Sequence, residues 1–375
     1  MLVLWIVAGV SLVAWLWLAL LRGLFWRTDI RLPAAPTPAR WPTVGIVVPA
    51  RDEAEVLPRT VPTLLAQEYP GPVRVVLVDD GSRDGTADLV AREWPSVQVV
   101  VPEPPPPGWA GKLWALRAGV LAAGDVDLLL LTDADIAHPR DSLARLVRLA
   151  EARGLDLVSQ MARLHCRTGW ERLVVPAFVY FFALLYPMRW VNNRARRTAA
   201  AAGGCVLLRP AALVRAGGLE AIRGAVIDDV ALARAVKRTG GAIFLGLASA
   251  VESVRTYPSL ASLWQMVARS AYAQLRHNPW LVAGTVAGLA LVFLVPLVST
   301  VVGLALDPVL AALGAAAWLV MAGTYAPMLR QHGQPVAAAL LLPGTATLYL
   351  AMTVDSARRH RRGRGAEWKG RTYSA

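Results

Sequence analysis

The sequence predicts an α/β domain built on a mostly parallel sheet, carried between one N-terminal membrane helix and a group of C-terminal ones. Three observations point there. Hydrophobic residues make up 55% of the 375, the mean hydropathy is +0.44, and the excess is concentrated near the two ends. Between about 42 and 276, short apolar β-branched runs alternate with amphipathic helical stretches. Each apolar run also finishes in polar residues, which is where open parallel sheets bind ligands.

The N-terminal stretch 2–21, "LVLWIVAGVSLVAWLWLALL", carries no charge over a length that spans a bilayer. No basic residue precedes it, and Arg22, Arg27 and Arg31 follow. That asymmetry predicts an uncleaved anchor over 1–22, with the N-terminus outside and the chain from 22 onward in the cytoplasm. Trp15, Trp17 and Trp26 are placed for an interfacial belt.

The strand runs are "TVGIVVP" (43–49), "VRVVLVDD" (73–80), "VQVVV" (97–101) and "DLLLLTD" (127–133). Their continuous apolar character predicts strands covered on both faces, with the helices "AEVLPRTVPTLLAQE" and "DGTADLVAREW" between them. "PEPPPPGW" (102–109) reads as a stiff polyproline-like loop. The stretch 171–190, "ERLVVPAFVYFFALLYPMRW", is aromatic, bounded by charge and interrupted by Pro176 and Pro187, so an interfacial or re-entrant helix is expected there. A span at this place would separate the two halves of the sheet domain. The expected organisation is thus an anchor over 1–22, a cytoplasmic domain over 40–276, about three C-terminal spans over 281–355, and a basic tail over 356–375.

The C-terminal segments 281–304, 308–329 and 336–354 contain no Asp, Glu, Lys, Arg or His. No ion pathway is visible in them, which argues against a transporter. Three full spans would carry the tail outside, whereas its "ARRHRRGRG" asks for the inside. Either the "LLLPGTATLY" segment is re-entrant or the charge rule is broken here. The net charge of +13 sits beside the apolar segments rather than on any nucleic-acid motif, so anionic lipid headgroups are the expected partner and nucleic acid is not. Cys166 and Cys205 are too few and too isolated for a disulfide framework or a zinc site.

The chemistry is carried at the strand ends. Asp52 and Glu53 open a helix after the first strand, where the macrodipole favours acids. Gly81, Ser82 and Gly85 are turn residues, but the adjacent Asp79 and Asp80 repel each other unless donors meet them. Asp133 and Asp135, two apart after four leucines, point to one side if the strand stays extended. Such a pair invites a cation, and an oxygen-only set suits Mg²⁺ or Mn²⁺. Lys112 opens a helix after Gly111, a placement suited to phosphate. Asp228 and Asp229 begin another helix; capping accounts for one and leaves the other for acid–base work.

In order, V-P-A-R-D-E, D-D-G-S-x-D-G-T, G-W-x-G-K, T-D-A-D, G-G-C-V-L-L-R and I-D-D-V-A-L cover residues 43–240. This ordered set resembles the membrane-bound members of glycosyltransferase family 2, whose nucleotide-diphospho-sugar transferase domain has the GT-A fold. The Pro-rich loop and the arrangement of apolar segments look most like the hopanoid-associated subgroup, with carotenoid and ceramide glycosyltransferases as relatives. The resemblance implies that Asp52 or Glu53, with Asp79 and Asp80, line the nucleoside side of the donor, with a UDP-sugar favoured. Lys112 and Asp133 would lie near the diphosphate. Asp133 and Asp135 would be the metal pair, with Asp135 the more direct ligand. Asp229 takes the place of the general base, with the adjacent Asp228 open to the same role. Gly203 and Gly204 would let the acceptor or donor sugar approach closely. The Q-x-x-R-W of processive synthases is not matched: Gln265 aligns, but Ala268 and Arg269 stand where Arg-Trp is expected. The implied activity is therefore inverting, metal-dependent transfer of one sugar to a membrane lipid, with Gln265 and Arg269 on the acceptor side. The implied setting is a bacterial-type inner membrane. A sugar nucleotidyltransferase of the same fold type and a non-catalytic membrane scaffold are the rival readings.

Overall fold

Residues 43–50 hold Thr, Gly, Ile, Val, Pro and Ala but no charge, and in a computed structural model of the chain they supply a strand buried along its whole length. The structure describes residues 1–362 and the backbone of 367–368 and 371–372; the basic tail expected over 356–375 therefore lies mostly outside the described residues. The chain divides into an α/β unit, residues 29–165 and 190–256 with the backbone pair Glu367–Trp368 and Arg371–Thr372, and a helical unit, residues 1–28, 166–189 and 257–362.

The α/β unit is organised on eight strands: β1 (Val44–Ala50), β2 (Val73–Asp79), β3 (Gln98–Val100), β4 (Leu128–Leu131), β5 (Ile136–Ala137), β6 (Leu157–Arg163), β7 (Val206–Leu208) and β8 (Ile243–Ser253). Their order across the sheet is β3-β2-β1-β4-β7-β6-β8-β5. The β3-β2-β1-β4 half is parallel throughout. β7 runs antiparallel to both β4 and β6, β8 pairs parallel with β6, and β5 pairs antiparallel with β8, so the sheet is mixed.

β4 lies at the middle of the sheet, and all four of its leucines are buried. Each contributes about 2 kcal/mol of hydrophobic stabilisation relative to exposure. The helix Gly111–Ala123 packs flush on β1 and β2 because Gly119 has no Cβ; an added methyl would collide with Val47 and Val78. The carboxyl ends of β1, β2 and β4 therefore open on one edge of the sheet, carrying the motifs at 49–53, 79–86 and 132–135.

The helical unit holds Leu2–Leu21, Gly169–Leu185, Leu260–Gln274 and the C-terminal helices. Five helices of the described residues are long and apolar enough to cross a membrane: Leu2–Leu21, Gly169–Val191, Pro279–Leu306, Pro308–Gln331 and Val336–Arg361. The 171–190 stretch joins this unit as a helix despite Pro176, started by a capping box between Thr168 and Glu171. The helix Leu260–Gln274, counted with the 40–276 domain on sequence, belongs here too. Trp264 Nε1 donates to Asp355 at 2.7 Å, and the Tyr272 N–H donates to Ser356 Oγ at 3.0 Å. A π-turn over Ala290–Leu294 loosens the helical ladder, and Ser11 Oγ and Trp15 Nε1 donate to the carbonyls of Leu291 and Val292 there. Polar groups in an apolar unit have to be satisfied in this way.

Candidate active site

The β1 and β2 ends are tied together by their own side chains. Asp52 adopts a left-handed backbone (φ 51°), and its N–H donates to Ser82 Oγ at 2.9 Å while its Oδ1 accepts from the Arg83 N–H at 2.8 Å. Asp79 Oδ1 accepts from the Ser82 N–H at 3.0 Å and from the Ser82 hydroxyl. Asp80 faces Arg51, whose guanidinium lies 3.5 Å from its carboxylate and donates to its backbone carbonyl. The two buried neighbouring carboxylates are tolerated because Asp79 accepts from Ser82 and the Arg51 charge faces Asp80.

A second group forms around Lys112, on the first turn of Gly111–Ala123. Its Nζ lies 2.8 Å from Asp133 Oδ1 and 3.0 Å from Asp228 Oδ2. Burial by itself would lower the pKa of Lys112, but Asp133 and Asp228 outweigh it and hold the ammonium charged. Asp229, beside Asp228 on the helix Asp228–Arg238, accepts from the Gly203 N–H through Oδ2 at 2.7 Å and from the Val230 N–H through Oδ1 at 2.7 Å. Burial pushes its carboxyl up to about 7, and the Asp228 charge adds to the rise; Lys112 and the two N–H groups pull the other way. A cavity of about 20 Å³ is bordered by Lys112, Asp133, Gly203, Asp228 and Asp229 on its polar side and by Pro49, Leu116, Leu131, Val206 and Leu232 behind. That is room for about one water and far too little for a sugar ring, so the cavity backs the cluster.

A third group involves Arg255, which lies just beyond β8. Its Nε donates to Asp135 Oδ2 at 2.7 Å, and its Nη2 donates to both oxygens of Glu53 at 2.7 and 2.8 Å. Ser253 Oγ also donates to Asp135 Oδ2, at 3.2 Å, and the Val254 N–H donates to the Asp135 carbonyl at 2.8 Å. The D-x-D geometry thus differs from the sequence expectation of two side chains on one face of an extended strand. β4 ends at Leu131, and Ala134–Asp135 form a turn, so the alternation rule does not apply. Asp133 reaches the lysine and Asp135 the arginine.

Residues 42–273 match the model of a family described as glycosyltransferase-like family 2. The chain belongs to this family. The enzyme is similar to undecaprenyl-phosphate 4-deoxy-4-formamido-L-arabinose transferases. The relative from Pseudomonas syringae pv. syringae is 30% identical over 139 residues, 34% of this chain and 38% of that protein. The relative from Serratia proteamaculans is 32% identical over 136 residues, 34% of this chain and 39% of that protein. The chain therefore spans less than half the length of these relatives. Among solved structures, a mannosyltransferase from Pyrobaculum calidifontis in complex with GDP-Man and Mn²⁺ superposes with a TM-score of 0.56 at 21% identity, over 96% of this chain and 99% of that one. At that identity the likeness speaks for the fold: the glycosyltransferase has the GT-A fold with additional apolar helices at both ends.

No closed cage of three or more His, Cys, Asp or Glu side chains exists among the described residues of the glycosyltransferase. A Mg²⁺ or Mn²⁺ that shares its shell with phosphate oxygens needs only one or two carboxylates. Asp135 accepts its protein donors through Oδ2 alone, and Asp133 keeps a side chain 35% exposed while Oδ1 meets Lys112. Both donors are oxygens, the chemistry that suits a hard divalent cation, although as placed each carboxylate meets a different protein cation.

Gly203 borders the Lys112 group: a Cβ there would lie 3.2 Å from Lys112 Nζ and 3.4 Å from Asp229 Oδ2. A Cβ on Gly204 would press on Ile136, 2.9 Å away. Gln265 and Arg269 lie on Leu260–Gln274 in the helical unit. Sequence reasoning missed Arg255, which lies 120 residues beyond Asp135 and carries no motif of its own. It also missed His138, three residues after Asp135.

Proposed function

We propose that the protein transfers a single sugar, with inversion, from a nucleotide-diphospho-sugar to a hydroxyl of an isoprenoid membrane lipid. The observation that carries this reading is Asp229, a carboxylate poised near neutrality and aimed by the Gly203 N–H. A general base works best with a pKa near the operating pH. A hydroxyl acceptor has to lose a proton during transfer, whereas an ionised phosphate acceptor brings its own nucleophilic oxygen. The placement of Asp229 therefore favours a hydroxyl lipid, as the resemblance to hopanoid-associated enzymes does, over the lipid phosphate for which the similar transferases are named. Both are isoprenoid acceptors, and both support membrane delivery.

In this reading Asp229 takes the hydroxyl proton while the acceptor oxygen bonds to the anomeric carbon. The bond from that carbon to the diphosphate oxygen breaks, and the nucleoside diphosphate departs. Lys112 turns its ammonium toward the diphosphate and holds the growing charge there. Asp52 or Glu53, with Asp79 and Asp80, form the nucleoside side, and a UDP-sugar is the favoured donor. Asp135 and Asp133 would hold Mg²⁺ or Mn²⁺, whose Lewis acidity stabilises leaving phosphate oxygens. Gln265 and Arg269 are assigned to the acceptor side. The helix Leu2–Leu21 anchors the chain in a bacterial-type inner membrane, with the α/β unit in the cytoplasm, about three C-terminal spans, and 171–190 at the interface.

The test is transfer by purified full-length protein from radiolabelled UDP- and GDP-sugars to defined lipids. A hydroxyl-bearing isoprenoid gaining one hexose mass is the expected product. Labelling of polyprenyl phosphate alone, at a rate insensitive to Asp229→Asn, would overturn the assignment of acceptor and base.

A further inference from the structure

His138 is buried, at 4% exposure, and so are Thr132 and Ser142, at 1% and 3%. Its Nε2 lies 2.9 Å from Thr132 Oγ1, its Nδ1 lies 3.3 Å from Ser142 Oγ, and its backbone N–H donates to Thr63 Oγ1 at 3.1 Å. Thr132 Oγ1 in turn donates to the Gly204 carbonyl at 2.8 Å. These contacts decide where every proton sits. A hydroxyl has one proton, and that of Thr132 is spent on a carbonyl, which can only accept. His138 must therefore donate from Nε2. Its Nδ1 then carries a lone pair, and the Ser142 hydroxyl donates to it. One neutral tautomer satisfies the chain Ser142–His138–Thr132–Gly204. Burial also pushes the imidazole down to about 4, which keeps it neutral at physiological pH.

The chain ends at the base. Thr132 is the residue before Asp133, and Gly204 is the residue after the Gly203 whose N–H donates to Asp229 Oδ2. Two successive glycines are soft backbone, and a side chain at Gly203 would press on Lys112 and Asp229. Hydrogen bonds hold this segment: Ser159 Oγ accepts from the Ala202 N–H at 2.8 Å, the Gln160 N–H donates to the Cys205 carbonyl at 3.1 Å, and between them the Thr132 hydroxyl grips Gly204. The turn that carries the aspartates is gripped from its other side as well, because Thr60 Oγ1 donates to the Ala134 carbonyl at 2.7 Å.

We propose that neutral His138, as its Nε2–H tautomer, is a positioning residue for sugar transfer: through Thr132 it fixes the Gly203–Gly204 backbone, and with it the donor that aims Asp229. His138 touches neither sugar nor lipid in this scheme. The inference rests on the assignment of Asp229 as base, and the experiment separates the two.

His138→Phe and Thr132→Val each break the chain, whereas Thr132→Ser preserves the hydroxyl and His138→Gln preserves an Nε2–H donor. Full-length protein is assayed for kcat and donor KM between pH 5 and 9. His138→Phe and Thr132→Val should lower kcat by up to about a hundredfold, the cost of a misplaced catalytic group, with donor KM unchanged. Their acid limb should move to higher pH, because the N–H that stabilises the Asp229 carboxylate is no longer held. Thr132→Ser should match wild type, and His138→Gln should recover part of kcat. ¹⁵N-histidine NMR of the wild-type protein should show one imidazole locked as the Nε2–H tautomer and neutral at pH 5.5, a readout that needs no variant to fold. Wild-type kcat and acid limb in His138→Phe and Thr132→Val, beside an inactive Asp229→Asn, would overturn the positioning role and leave the base standing. Full activity in Asp229→Asn would overturn the base itself. A buried imidazole found as the Nδ1–H tautomer would overturn the proton assignment.

Discussion

The backbone N–H of Gly203 donates to Asp229 Oδ2 at 2.7 Å, so the glycine pair before β7 and the acidic pair that opens the helix Asp228–Arg238 form one device. The two motifs are 26 residues apart in sequence. Lys112 completes the device by pairing with Asp228 and Asp133.

Asp229→Asn is expected to leave a folded protein with donor KM unchanged and transfer reduced by at least about a hundredfold. In wild type, kcat/KM should rise about tenfold per pH unit up to about 7 and then level, because the base acts only when ionised. For stability the sign is opposite. The folded carboxyl keeps its proton to about 7, against 3.8 ordinarily, so the folded state binds more protons in that window. The contribution of Asp229 to stability therefore falls as pH rises from 3.8 to 7. Rate profiles and denaturation curves across pH 4–8 check both signs.

Gly203→Ala adds a methyl 3.2 Å from Lys112 Nζ and 3.4 Å from Asp229 Oδ2. Neither contact is a collision, so the fold should survive. The Lys112 ammonium, the tighter contact, has to shift by a few tenths of an ångström, which should lower kcat by about tenfold. Steady-state kinetics beside a melting curve separates the two effects.

Asp135→Asn is expected to abolish metal-dependent transfer, a loss of at least about a hundredfold. Excess chelator should silence the wild-type enzyme, and added Mn²⁺ should restore it. Full activity in chelator would remove the metal from the mechanism.

Arg255→Gln takes the bidentate partner from Glu53, whose side chain is only 8% exposed, and the Nε donor from Asp135. Since the guanidinium is 31% exposed, water screens part of the loss. A destabilisation of about 2 kcal/mol is expected, below the cost of breaking a fully buried pair. Chemical denaturation in detergent measures it.

Much of the architecture is legible in the sequence because it is written in local chemistry. The four leucines of β4, a short apolar run bounded by turn residues, read as a buried strand, and the charge-free 2–21 helix has a length set by the bilayer. Three of the six ordered motifs, at 49–53, 79–86 and 132–135, mark the carboxyl ends of β1, β2 and β4. The weaker inferences were those that extended a local rule past its element. Alternation would put Asp133 and Asp135 on one face of a strand, yet the strand stops at Leu131 and a turn sends them to different cations. The helix Leu260–Gln274 falls within the family match over 42–273, and its hydrogen bonds go to Asp355 and Ser356.

The sequence by itself determined the kind of residue at each strand end, the α/β alternation and the apolar helices, because periodicity and turn chemistry act over a few neighbours. Only the tertiary structure decided which charge answers which. Arg255 meets Asp135 across 120 residues, and His138 reaches the Gly204 carbonyl through Thr132, 72 residues earlier in the chain. Electrostatics and hydrogen bonding depend on distance in space, and distance in space is set by the order of strands in the sheet.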